Sequence, residues 1–182
     1  MRRFTTDDLS DLVALDGDPA VMRYLTGGGP APEDDLPENC LPYWLAYYEA
    51  GDQYGFWAAI ERETGAFIGW FHLRPLPEDP RDEPELGYRL IRSSWGRGYA
   101  TEASRALIDK AFLEFGARRV HASTMAVNAG SRRVMEKAGM RFVRTFVMPW
   151  PVRIEGDEEG DVEYAIRREE WEQDRAAGRT TG

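Results

Sequence analysis

Ile91-Arg92-Ser93-Ser94-Trp95-Gly96-Arg97-Gly98-Tyr99-Ala100-Thr101-Glu102 is the stretch whose reading decides the fold. It closes the apolar run Glu85-Leu86-Gly87-Tyr88-Arg89-Leu90-Ile91, which reads as a strand. It opens a periodic run over residues 101–114, where Ala103, Leu107, Ala111 and Phe115, with Ile108 and Phe112, recur at helical spacing. Gly96 and Gly98 remove side chains where several backbone amides can converge, and the helix N-terminus adds partial positive charge. Such a turn can cradle a pyrophosphate. It lacks the third glycine of G-x-G-x-x-G and the lysine of a P-loop, so it equally fits a plain strand-to-helix connection.

Working outward, residues 56–61 (FWAAIE) and 66–76 (AFIGWFHLRPL) predict an antiparallel hairpin. Before it, Thr5 and Asp8 fit a capping box ahead of a helix with Leu9, Leu12, Val13 and Leu15 on one face. A short apolar piece, 21–25, follows Pro19, then a Gly/Pro/acid loop over 27–37 and an aromatic-rich helix over 41–50. Beyond the central helix come a strand at 119–126, a helix at 131–138, a strand at 140–150 broken by prolines, and a last strand at 162–167. The order predicts one α/β domain over 1–172 and a frayed polar tail over 173–182.

Composition narrows the function. The 182 residues carry 23 Lys+Arg against 32 Asp+Glu, a net charge of -9, which repels phosphate backbones and makes nucleic acid a poor partner. The same surface suits a protonated amine, or serves solubility alone. A hydrophobic fraction of 42% and a mean hydropathy of -0.55 exclude disorder and a membrane-spanning chain. Cys40 is the single cysteine and cannot close an internal bridge, and with two histidines no metal centre is expected. The start, Met1-Arg2-Arg3-Phe4 followed by polar residues, does not read as a secretion signal, so a cytoplasmic location is expected.

The segment from Trp95 to Glu102 resembles the acyl-CoA pyrophosphate loop of the GNAT superfamily of N-acetyltransferases, more narrowly the branch that acetylates N-termini of ribosomal proteins. Asn128-Ala129-Gly130-Ser131-Arg132-Arg133-Val134-Met135-Glu136-Lys137-Ala138-Gly139-Met140 is similar to the second signature of that branch. Glu85-Leu86-Gly87-Tyr88 resembles its central strand, and Asp161 to Ile166 followed by Trp171 its closing strand. Two departures stand out: Trp95 replaces the Gln or Arg usual in the superfamily, and Met1 starts almost on the segment that an edge strand normally precedes.

The resemblance implies a GNAT-like fold, a mixed central sheet with a splayed strand pair flanked by helices, with acetyl-CoA as co-substrate. It implies direct attack of a primary amine on the thioester, the amine belonging to a peptide N-terminus or a small molecule. An aminoglycoside or other metabolite acceptor, or a non-catalytic acyl-CoA-binding module, are the alternatives. Cofactor contacts map to Leu90, Ile91 and Arg92 on the strand, to Arg97, Gly98, Tyr99, Ala100, Thr101 and Glu102 in the loop, and to Asn128 and Arg133. Glu85 is the expected proton acceptor, acting through a water, and backbone amides of 90–92 the oxyanion donors. Many relatives place a tyrosine where Met135 stands, so Ser131 is the remaining hydroxyl for the leaving sulfur. Asn128 and Ser131 also read as helix-start residues, and Glu85 as one strand-end acid among several. Trp44, Tyr47, Tyr48, Trp70, His72 and Trp150 could wall an acceptor pocket, with Trp44 and Tyr48 ranked as core. His121 is expected to be structural, and a homodimer is expected from the habits of the branch.

Overall fold

The computed structural model describes residues 1–29, 35–49, 53–150 and 153–178. The elements are α1 (Leu9–Asp16), α2 (Pro19–Thr26), a π-helical segment (Asp35–Cys40), α3 (Leu41–Glu49), β1 (Gly55–Ile60), β2 (Phe67–Arg74) and β3 (Glu85–Leu90). There follow α4 (Tyr99–Leu113), β4 (Arg119–Met125), α5 (Ala129–Lys137), β5 (Arg141–Phe146), β6 (Asp161–Arg167) and α6 (Arg168–Ala176). The strands form one mixed sheet in the order β1-β2-β3-β4-β6-β5, flanked by helices. Parallel pairing of β3 with β4 is registered at Glu85↔His121, near the start of both strands, as in a splayed pair.

Two compact units share this chain. One comprises Met1–His72, Tyr88–Tyr99 and Pro149–Glu155, the other Leu73–Gly87, Ala100–Met148 and Gly156–Gly182. Both are assembled from separate segments, so no linker in the sequence marks them.

The first unit is organised by aromatic residues. Trp44 stacks on Phe56 (4.7 Å, 11°) and packs on Phe4 and Trp70, with Leu12, Leu15 and Leu41 completing the core. Each such ring pair adds about 0.5–1.5 kcal/mol beyond its buried area. Tyr48 is tied in by its hydroxyl, which accepts from the Phe4 amide at 3.1 Å and donates to the Phe56 carbonyl. Both residues ranked as core thus behave as core, and Cys40 packs against the same cluster. Gly69 lets β2 and β3 approach: a Cβ there would stand 2.7 Å from the Leu90 Cα. The apolar piece after Pro19 is a full helix, α2, with Asp18 capping the Ala20 amide at 2.9 Å and proline in the first turn. At the N-terminus, Arg2 bridges antiparallel to Ala58 through both backbone hydrogen bonds (3.0 and 2.9 Å). The expected loop over 27–37 lies partly outside the described residues, and Asp35 already belongs to the π-helical segment.

In the second unit, α4 buries Leu107, Ile108, Ala111 and Phe112 of the expected stripe, while Ala103 and Phe115 are half-buried. Phe112 meets Trp171 of α6 at 5.2 Å, and the Trp171 indole donates to Asp109 at 2.7 Å. This anchor, with Arg141 pairing to Glu170 and Asp174, holds α6 helical to Ala176, so residues 173–176 are not frayed. β5 stops at Phe146 rather than 150, because Phe146 pairs with Asp161, the first residue of its partner β6. A bulge between Phe142 and Arg144 disturbs this pair, and Phe142, Val143, Val147 and Met148 are exposed.

Candidate active site

β3 delivers the chain into the glycine turn. The Ile91 amide donates to the Ile68 carbonyl at 3.1 Å, so of the three expected oxyanion donors this one is already taken. Alternation along the strand places the Leu90 amide on the edge away from β2. The Leu90 carbonyl on that edge accepts from the Trp95 indole at 2.9 Å. The half-exposed ring of Trp95 therefore folds back and pins the turn to the strand that feeds it. A 3-10 turn, Arg92–Ser94, follows, closed by Ser94 N–H to Ile91 O (3.0 Å) and Trp95 N–H to Arg92 O (3.2 Å).

Gly98 has φ +89, and a Cβ there would meet nothing within 4 Å. The backbone conformation asks for glycine, and the space beside it is open. α4 begins at the next residue, so the amides of Tyr99, Ala100 and Thr101 have no acceptor within the helix. Open space, left-handed glycines and a helix N-terminus together fit a pyrophosphate. Arg97, expected to contact the cofactor, pairs with Glu61 at 2.9 Å and lies over the Tyr99 ring at 4.9 Å. A cavity of about 550 Å³ adjoins Arg92 and Ser93, floored by Leu15, Val21, Phe67 and Ile91, with Asp11 and Asp18 on its lining.

The second unit holds the remaining candidates. Glu85 opens β3, is partly buried, and accepts from the Ser123 hydroxyl at 3.5 Å. Its register partner His121 is buried in β4 and bonds Asp79 through Nε2 at 2.9 Å. Nearby, Arg119 reaches Glu83 (3.2 Å) and Glu163, and Arg144 reaches Glu163 at 2.6 Å. Burial pushes the Glu163 carboxyl up, but the Arg144 and Arg119 guanidiniums outweigh it and hold it below its usual range.

Asn128 caps α5: its Oδ1 accepts the Ser131 amide at 3.1 Å, and its Nδ2 donates to Thr124 at 3.0 Å. The capping role belongs to Asn128, and Ser131 stands partly buried in the first turn of α5. Met135 is buried at 1% exposure and offers no donor. Arg133 is exposed, while Arg132 turns inward to the Ala126 carbonyl (3.0 Å) and the Tyr164 hydroxyl (3.3 Å). Tyr164 in turn donates to Glu136 at 3.0 Å, so one buried phenol from β6 fixes α5 at two positions.

Of the aromatic candidates for a pocket wall, Trp44 and Trp70 are buried in the first-unit core, and His72 is buried against Trp70 and Phe56. Sequence reasoning missed Glu61, which ends the strand expected over 56–61, and the acids Asp11 and Asp18. Among the described residues, no group of three or more His, Cys, Asp or Glu is placed to hold a metal ion, and no helix is long and apolar enough to cross a membrane.

Known proteins share both the sequence pattern and the fold. An FsC-acetyl coenzyme A-N(2)-transacetylase of Aspergillus fumigatus is 38% identical over 163 residues, covering 86% of this chain and 68% of that protein. A putative ribosomal N-acetyltransferase, YdaF of Bacillus subtilis, is 29% identical over 143 residues, covering 79% and 75%. The crystal structure of the aminoglycoside acetyltransferase AAC(6')-Ib with coenzyme A superposes with a TM-score of 0.74 over 96% of this chain and 97% of that one; at 20% identity this shows the fold. Residues 1–141 match the acetyltransferase (GNAT) domain, and the chain belongs to that family.

Proposed function

We propose that this protein transfers an acetyl group from acetyl-CoA to the amine of a small molecule. The observation that carries the reading is the Gly96–Gly98 turn at the start of α4, open beside Gly98 and continuous with a strand edge that ends at Leu90. In this reading the amides of 98–101 meet the pyrophosphate, and the Leu90 amide meets the acetyl carbonyl oxygen. The amine nitrogen bonds to the carbonyl carbon, its proton passes through water to Glu85, and the carbon–sulfur bond breaks. The departing thiolate is stabilised by the Ser131 hydroxyl and takes its proton from solvent. Holding amine and thioester together supplies most of the acceleration.

A small acceptor is favoured over a protein N-terminus by two things. The relative of higher identity is named for a coenzyme A-dependent N(2)-transacetylation, while the ribosomal enzyme matches at lower identity. The cavity beside Arg92 joins an apolar floor to two carboxylates, which suits an alkylammonium group. Thiol release from acetyl-CoA, followed across polyamines, amino sugars, amino acids and free-N-terminus peptides, tests this. Turnover with small amines supports it. Turnover with peptides alone restores the ribosomal-type reading, and cofactor binding without turnover on any amine leaves a binding module.

A homodimer remains a proposal, for which the exposed apolar residues Phe142, Val143, Val147 and Met148 around edge strand β5 offer a surface. Light scattering at the monomer mass of 20.7 kDa at micromolar concentration would remove it.

A further inference from the structure

Glu61 follows β1 and is mounted rigidly. Its amide donates to the Ala66 carbonyl and its carbonyl accepts from the Gly65 amide, both at 2.9 Å. One carboxylate oxygen accepts from the Thr64 hydroxyl at 2.6 Å. The other accepts from Arg97 at 2.9 Å and from the Tyr99 hydroxyl. The two residues flanking Gly98 are thus held by a single oxygen of a side chain only 11% exposed. Arg97 also lies over the Tyr99 ring, so its guanidinium is committed on two sides. A Cβ at Gly98 itself would meet nothing within 4 Å.

We infer that Glu61 is a positioning residue for the cofactor loop, and that Arg97 acts through Glu61 to shape the loop rather than as a ligand of the phosphates. A carboxylate beside a phosphate-binding turn would oppose binding by charge. Here its charge is matched by Arg97, so the hairpin contributes order to the loop with no net charge from the pair. The cofactor's phosphates are left to the backbone amides and the start of α4. Thr64 sets the angle of the carboxylate, and Tyr99 links it to the first residue of the helix. This inference rests on acetyl-CoA being the donor.

The test is a double-mutant cycle read by calorimetry with coenzyme A and by steady-state kinetics with saturating amine. Glu61→Ala and Arg97→Gln are each expected to raise the dissociation constant and the acetyl-CoA KM about 10-fold, with kcat at saturation unchanged. The double variant is expected to be no weaker than either single one. Glu61→Gln, which keeps one oxygen for Tyr99 and turns an amide N–H toward the Thr64 hydroxyl, is expected to lose less than Glu61→Ala. The salt dependence of binding is expected to be the same in wild type and Arg97→Gln, since no phosphate contact is lost. Tighter binding by Glu61→Gln would show Arg97 freed to take the phosphates. That result, a shallower salt slope in Arg97→Gln, or additive losses in the double variant would each overturn the inference. Thermal midpoints on the same samples separate unfolding from loop disorder. If wild-type protein bound no coenzyme A, the acetyl-CoA reading would fall instead.

Discussion

Replacing Gly98 by alanine separates loop geometry from bulk. A Cβ at Gly98 meets nothing within 4 Å, so the substitution causes no clash inside the protein, but φ +89 lies where an L-residue costs about 1–2 kcal/mol. The free loop escapes that cost by relaxing, and binding must restore the glycine geometry, so the strain reappears as lost affinity. One to two kcal/mol corresponds to a rise in the acetyl-CoA dissociation constant of about 5- to 30-fold. Gly116 supplies the control: it has φ +71 and nothing within 4 Å, and it follows α4 at its far end. Gly116→Ala carries similar strain and should lower the thermal midpoint while leaving affinity unchanged. Calorimetry and thermal unfolding on both variants make the comparison. If Gly98→Ala bound acetyl-CoA as wild type does and lost only stability, as Gly116→Ala should, the loop would not be the phosphate site.

Three further outcomes follow from the geometry. Glu85→Gln should lower kcat about 10²–10⁴-fold with acetyl-CoA affinity nearly unchanged, and its rate profile should lose the acidic limb; full activity would remove Glu85 as the base. Asn128→Ala should cost about 1 kcal/mol in urea unfolding, because the Ser131 amide and Thr124 hydroxyl both lose their partner; unchanged stability would contradict the cap. Asp8 is held below its ordinary 3.8 first by the hydrogen bond from Arg2, with the Thr5 amide helping against burial. Its contribution is therefore complete above about pH 4 and is lost as pH falls through the depressed folded value, so Asp8→Asn should be less stable at neutral pH and flatter in acid.

The central helix, the hairpin and the closing strand are legible in the sequence because their periods are strong and their ends are punctuated by Gly116, Gly65 and the acidic loop before Asp161. α2 is not, since its first turn rests on the Asp18 cap and proline while its eight residues are too short to show a helical period. The last turn of α6 is hidden for a different reason: its Asp174 pairs with Arg141 and its Arg175 with Asp109, both far away in sequence. At the site, the glycine turn and Asn128 announce themselves by local chemistry. The pinning of the turn by Trp95 and the commitment of Arg97 to Glu61 do not, because each depends on a partner that only the folded backbone brings near. The Ile91 amide shows the same limit, since strand pairing with Ile68 decides which backbone donors stay available.

Acetyl transfer to a small amine is tested most directly by competition. Wild-type protein is given acetyl-CoA together with a small polyamine or amino sugar and a peptide with a free N-terminus at equal concentration, and the acetylated products are resolved by mass. The small amine is expected to carry the acetyl group, in an amount matching the thiol released. Acetyl transfer to the peptide alone, or thiol release matched by neither product, would contradict the proposed function.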